Sequence, residues 1–236
     1  PSIETLLHAF LPAEHVYHTH ADAIAGFTCA PESERRTRDA FGGKVLWVPY
    51  VRPGFQLSKW VIEVVERHPE ARAMILDKHG ALTSGQDARR AYEGMVTLTR
   101  AAMGYQFARA KTPQRVRVEL PAGEAPARAA ARILPWLRGA ISRQRRQIVR
   151  WDGSRAVLDF LARPDAEALS QKGPFSPDHT LQTKARPLFW RLGQHSSLGR
   201  ATERYRLWYE RYFAHHAPRG TPTLDPYPRV VLVPGV

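Results

Sequence analysis

The sequence predicts a layered α/β protein, and three observations carry that prediction. Short runs rich in Val, Ile and Leu alternate with longer amphipathic stretches, the pattern of strands interleaved with helices. Glycine and proline fall at the ends of those segments, where they turn or stop the chain. With 236 residues, 43% hydrophobic and 24% charged, the chain is long enough to bury a sizeable core.

Residues 2–11 read as a helix, with Ser2 as N-cap, Glu4 in the first turn, Leu6, Leu7, Phe10 and Leu11 at helical spacing, and Pro12 as its limit. Residues 16–27 suit a buried strand running into a helix. Gly42-Gly43 makes a turn, and VLWVPYV at 45–51 is a second strand whose end Pro49 disturbs. Residues 58–67 form an amphipathic helix with Trp60, Val61, Val64 and Val65 on its apolar face, stopped by Pro69. Residues 73–76 are a third buried strand, and 81–84 can be read as its continuation beyond Asp77-Lys78-His79-Gly80. Gly85 then turns the chain into a long helix over 87–110.

Residues 112–126 hold three prolines, a glycine and few hydrophobes, which marks a boundary. Beyond it the expectations are a helix over 127–143 interrupted by Pro135, a strand over 147–151, a helix over 154–161 and a proline-rich loop over 172–178. A strand near 187–191, a helix over 198–215 and a strand over 229–233 follow. Three regions result: a domain over 1–111, a basic α/β extension over 112–228, and the start of a further domain over 229–236. The chain begins at Pro1 without Met and ends on VVLVPGV, so it reads as a fragment.

The net charge of +13 is unevenly spread. Residues 1–100 carry twelve basic and twelve acidic side chains, so the whole excess falls on 101–236. A concentrated basic balance attracts polyanions. Arginine far outnumbers lysine, however, and such usage inflates ordinary surface charge, so nucleic acid is not the expected partner. No apolar run approaches the roughly 20 residues that span a bilayer, and the first residues have no basic segment of a secretion signal. A single cysteine, Cys29, cannot form an internal disulfide, and a reducing cytoplasm is the expected location.

His18-Thr19-His20 is the sharpest chemical feature. On a strand, residues two apart point to one face, so both imidazoles can reach one ion. Zinc takes neutral imidazole at about 2.0–2.1 Å and wants a third protein ligand. Two histidines alone are equally ordinary strand residues. His79, after an apolar strand and before a glycine, is the best candidate for the third; spacing alone also allows a turn histidine that caps the strand. Glu4 could serve as general base or fourth ligand, or simply be a first-turn glutamate favoured by the helix dipole. Asp178-His179 with Thr183-Lys184 could touch an anionic group or be a polar loop held by its own hydrogen bonds.

PSIETLLH at the start, VYHTHADAI and LDKHGALTSG together resemble the class II aldolase/adducin family over residues 1–105, three motifs in the family's order. The resemblance implies a class II aldolase-like α/β fold, here N-terminally incomplete. It implies Glu4 as the catalytic acid/base, Zn²⁺ held by His18, His20 and His79, and Ser2 as a contact to substrate phosphate. Ile3 stands where sugar-phosphate aldolases of the family often have a second serine. FSPDHTLQTKARPLF and PRVVLVPG resemble long bacterial proteins in which a rhamnulose-1-phosphate aldolase half precedes a short-chain dehydrogenase half. No GxGxxG fingerprint occurs, so no NAD site is expected within these residues.

The implied reaction is cleavage of a ketose 1-phosphate, such as rhamnulose 1-phosphate, to dihydroxyacetone phosphate and an aldehyde such as lactaldehyde. The implied partners are a small sugar phosphate and further copies of the chain, commonly as a tetramer. The tyrosine that family aldolases use as proton donor has no motif here, and Tyr50 is no established equivalent. An epimerase or decarboxylase of the same superfamily, or a metal-free adducin-type scaffold, are the alternatives.

Overall fold

Four strands form a mixed sheet in the first part of the chain: β1 (His15–Thr19), β2 (Leu46–Val48), β3 (Ala73–Leu76) and β4 (Gly80–Gly85), in the order β1-β4-β3-β2. The computed structural model describes residues 2–116, 123–193 and 197–236. Pro1 of the first motif, and residues 117–122 of the expected boundary, lie outside the described residues.

The first compact unit comprises Pro1–Lys111 with Phe175–Asp178. Its sheet is covered on both faces by helices α1 (Thr5–Phe10), α2 (Asp22–Thr28), α3 (Ser33–Phe41), α4 (Phe55–Arg67) and α5 (Ala88–Phe107). The period-2 alternation of β3 divides the core: Met74 and Leu76 join Leu7, Leu57, Val61 and Val65 on one face. Ile75 joins Ile24, Phe27, Met95 and Leu98 on the other. A strand buried on both sides reads as a continuous apolar run, as AMIL does.

β4 corrects one expectation. It does not continue β3 but turns back to pair with it antiparallel, with Leu76 opposite Gly80. The reversal occupies Asp77-Lys78-His79; the His79 N–H donates to the Leu76 carbonyl, and Lys78 takes a φ of 53°. Asp77 is buried and accepts from the Ser33 hydroxyl at 2.6 Å. The returning strand then pairs with β1, His18 opposite Leu82.

Other elements differ in detail. α1 starts at Thr5 with Glu4 as N-cap, not Ser2; the Ser2 hydroxyl instead accepts from the Glu4 N–H at 3.2 Å. Trp60 leaves the apolar face of α4 and is exposed, whereas Val61 and Val65 are buried. α3 has no counterpart among the expected elements, because SERRTRDAF offers almost no apolar stripe. α5 is capped by Asp87, whose carboxylate accepts from the Arg90 N–H.

The second unit comprises Thr112–Pro174 and His179–Val236. It holds α6 (Pro126–Ile141), α7 (Arg155–Leu161), α8 (Ala166–Ser170), β5 (Leu188–Phe189), α10 (Leu198–His216) and β6 (Val231–Leu232); α9 (Pro177–Thr183) begins within the 175–178 segment. α6 runs through Pro135 without ending, since Ala129, Ala130, Ile133 and Leu137 bury its other face. β5 and β6 pair parallel, and Val233 and Val236 pack against α6. The expected strand over 147–151 does not form. Ile148 is 99% exposed, and the Trp151 indole N–H donates to the Val236 carbonyl instead. Among the described residues no helix is long and apolar enough to cross a membrane.

Candidate metal centre

The site is built where β1 ends beside the β3–β4 turn. Odd residues of β1 face α5: the Tyr17 ring stands edge-on to Tyr92, and the Thr19 hydroxyl donates to the Met95 sulfur at 3.1 Å. Even residues face the other way, Val16 into the core beneath α4 and His18 and His20 toward the start of α1. Gly80 allows β1 to finish this close to the turn. A β-carbon there would collide with the Thr19 carbonyl and press on the His20 ring. His79, buried to 2% exposure, comes from the turn itself.

Four side-chain atoms converge. Glu4 Oε1 lies 3.3 Å from His18 Nε2, 3.3 Å from His20 Nε2 and 3.1 Å from His79 Nε2. His20 Nε2 is 3.1 Å from that of His18 and 3.0 Å from that of His79. An ion held tetrahedrally at about 2.0–2.1 Å from each ligand atom sets those atoms about 3.3–3.4 Å apart. The five distances just given are within a few tenths of an ångström of that figure.

The outward nitrogens reveal what the inward ones carry. His18 Nδ1 lies 3.0 Å from the Ala81 carbonyl, which can only accept, so the proton sits on Nδ1 and Nε2 of the neutral ring is a bare lone pair. His20 Nδ1 lies 2.7 Å from Asp178 Oδ2, and an ionised carboxylate imposes the same tautomer. Two bare lone pairs 3.1 Å apart, beside a carboxylate oxygen, repel one another unless a cation stands between them. His79 Nδ1 is buried with no hydrogen-bond partner among the described residues, a cost that its Nε2 must offset.

Protonation favours the ligand forms. Burial raises the Glu4 carboxyl, but His18, His79 and His20 together hold it below the ordinary carboxylate range. Burial pushes His18 below the ordinary histidine range against the opposing pull of Glu4, and burial with the neighbouring His18 does the same to His79. Neutral imidazoles and an ionised carboxylate are the states that bind a divalent ion. This donor set fits such an ion.

Glu4, His18, His20 and His79, the four residues named from sequence, are thus brought to one point. Ser2 is exposed beside them with its hydroxyl engaged by the Glu4 N–H. The Lys184 ammonium donates to the carbonyls of Asp225 and Tyr227 and lies over the Tyr209 ring. Asp178 is the residue that sequence reasoning did not assign to this place. It stands 158 positions from His20, and no spacing rule reaches that far.

Residues 1–105 match the family described as the class II aldolase and adducin N-terminal domain, and residues 128–236 match the second domain of class II aldolase. An uncharacterized oxidoreductase of Bacillus subtilis is 35% identical over 256 aligned positions, which cover all of this chain and 36% of that protein. The chain therefore spans about a third of that relative. Among solved structures, the N-terminal class II aldolase domain of a conserved protein from Thermoplasma acidophilum is 36% identical, with 44% of this chain and 48% of that one covered and a TM-score of 0.41. A sugar-phosphate aldolase from Thermotoga maritima is 20% identical, with 48% and 57% covered and a TM-score of 0.38.

Proposed function

The chain belongs to the class II aldolase and adducin family, and from that premise we propose that it is a zinc-dependent aldehyde-lyase acting on a ketose 1-phosphate. Rhamnulose 1-phosphate is the proposed substrate, giving dihydroxyacetone phosphate and lactaldehyde. The observation that supports this reading is the meeting of Glu4 Oε1 with three histidine Nε2 atoms at 3.1–3.3 Å.

His18, His20 and His79 would hold the ion, and Glu4 would share it or stand beside it. A bound Zn²⁺ supplies Lewis acidity toward the substrate's adjacent carbonyl and hydroxyl oxygens. The three rings, backed by strand and turn, fix the position at which those oxygens are received. When the C3–C4 bond breaks, the C4 hydroxyl gives up its proton to water and becomes the aldehyde, the electron pair stays on C3, and the Glu4 carboxylate takes up a proton from solvent. Glu4 delivers a proton to that carbon in cleavage and removes it in condensation. Its side chain is partly open, at 22% exposure, so its carboxyl can reach substrate from the solvent side. Ser2, one turn ahead of α1, is the proposed contact to the substrate phosphate. Residues 1–111 are read as the catalytic part, working in a homo-oligomer.

The test is product detection. Protein loaded with Zn²⁺ is given rhamnulose 1-phosphate and other ketose 1-phosphates, and aldehyde and dihydroxyacetone phosphate are measured. Consumption of substrate without an aldehyde would point instead to epimerisation or decarboxylation, and a protein that takes up no metal would end the reading.

A further inference from the structure

The three imidazoles of the site are braced by different means. His18 lies within β1, its side chain 4% exposed, and its Nδ1 is held by the Ala81 carbonyl of the neighbouring strand. His79 is fixed by burial within the β3–β4 turn. His20 lies one residue past the end of β1, outside the ladder, and its side chain is 17% exposed. Neither sheet nor burial fixes its ring. Its one bracing contact of the kind His18 has is the 2.7 Å approach of Nδ1 to Asp178 Oδ2.

We infer that Asp178 is a positioning residue for His20, turning its Nε2 toward the ion and making that nitrogen a stronger ligand. The inference rests on the metal reading of the site. The physics is that of a carboxylate behind a ligating histidine: accepting the Nδ1 proton fixes the tautomer and ring angle and adds electron density at Nε2. Charge points the same way. Glu4 is the single carboxylate among the four converging groups, and Asp178 brings a second negative charge close to a dication. Phe175–Asp178 is grouped with the first unit although it lies far along the chain, and Cys29 reaches the same segment through a contact of its thiol with the Phe175 carbonyl.

The experiment is a chelator competition for Zn²⁺ and Co²⁺ using the whole 236-residue chain, in wild type, Asp178→Ala and Asp178→Asn. Asp178→Ala is expected to bind about 10–100-fold more weakly, in keeping with other carboxylates behind metal ligands. Asp178→Asn, whose amide oxygen still accepts but carries no charge, should fall between Ala and wild type. The visible spectrum of the Co²⁺ form should shift in Asp178→Asn, because it reads ligand strength at the ion and not fold stability. Melting of the metal-free variants beside metal-free wild type reads fold stability apart from affinity. Wild-type protein that takes up neither ion overturns the metal reading and the inference with it. Wild type that binds, with either variant matching its affinity to within about twofold, overturns the role of Asp178 alone.

Discussion

The backbone carbonyl of Thr19 occupies the space in which a β-carbon on Gly80 would stand. The last residue of one strand and the first of another are thus in direct backbone contact, and His20 and His79 sit on either side of that contact. Gly80→Ala must push the strand end away. It should cost about 1–3 kcal/mol, as overpacking does, seen as a lower denaturant midpoint. It should also weaken Zn²⁺ binding in the same titration that measures wild type. Unchanged binding would mean the two histidines do not depend on this contact.

Glu4→Gln separates chemistry from binding. The amide keeps the shape of the side chain but cannot carry the proton, so kcat for the proposed aldol cleavage should fall by about 10²–10⁴. Three histidines remain to hold the ion, and metal content should stay near one per chain. Near-normal turnover in this variant would reduce Glu4 to a helix cap.

Metal removal should be visible without any substrate. The converging lone pairs of His18 and His20, and the carboxylate beside them, destabilise the ion-free fold. Free ion at a hundredfold excess over its Kd adds about 2.7 kcal/mol to stability. Stripping the protein with a chelator should therefore lower its melting temperature, and Zn²⁺ should restore it. Identical melting curves would contradict the geometry.

Ser33→Ala probes the turn without touching a ligand. It takes the 2.6 Å hydroxyl donor from the buried Asp77, two residues before His79. Leaving a buried carboxylate short of a partner should cost about 1–3 kcal/mol, measured by denaturation, with α3 and the turn loosened together. Loss below a few tenths of a kcal/mol would show that water replaces the hydroxyl.

Much of the site was legible because its geometry is local. The spacing of His18 and His20 needs nothing beyond the two-residue period of a strand, and the apolar run AMIL announces the strand that leads to His79. Glu4, His18 and His20 fall within the first twenty residues, so few chain reversals intervene. The direction of β4 was not legible: a reversal through Asp77-Lys78-His79 needs a lysine at positive φ, and nothing in its side chain advertises that conformation. The strand expected over 147–151 failed for a related reason. Ile148, Val149 and Trp151 favour an extended chain, but a strand also needs a neighbour to pair with, and Trp151 found the Val236 carbonyl instead. α3 escaped notice because its polar sequence is held by tertiary contacts such as that of Ser33 with Asp77, which no local pattern encodes.

Asp178 also places the site in time. A ribosome adding about 5–20 residues each second completes the set Glu4, His18, His20 and His79 first and reaches Asp178, 99 positions after His79, roughly 5–20 seconds later. Through that interval the nascent chain carries the converging ligands but not the carboxylate behind the least supported one. If Asp178 braces His20 as inferred, firm retention of an ion becomes a mark of a chain that has been read past residue 178, and prematurely ended products are the ones that surrender it first.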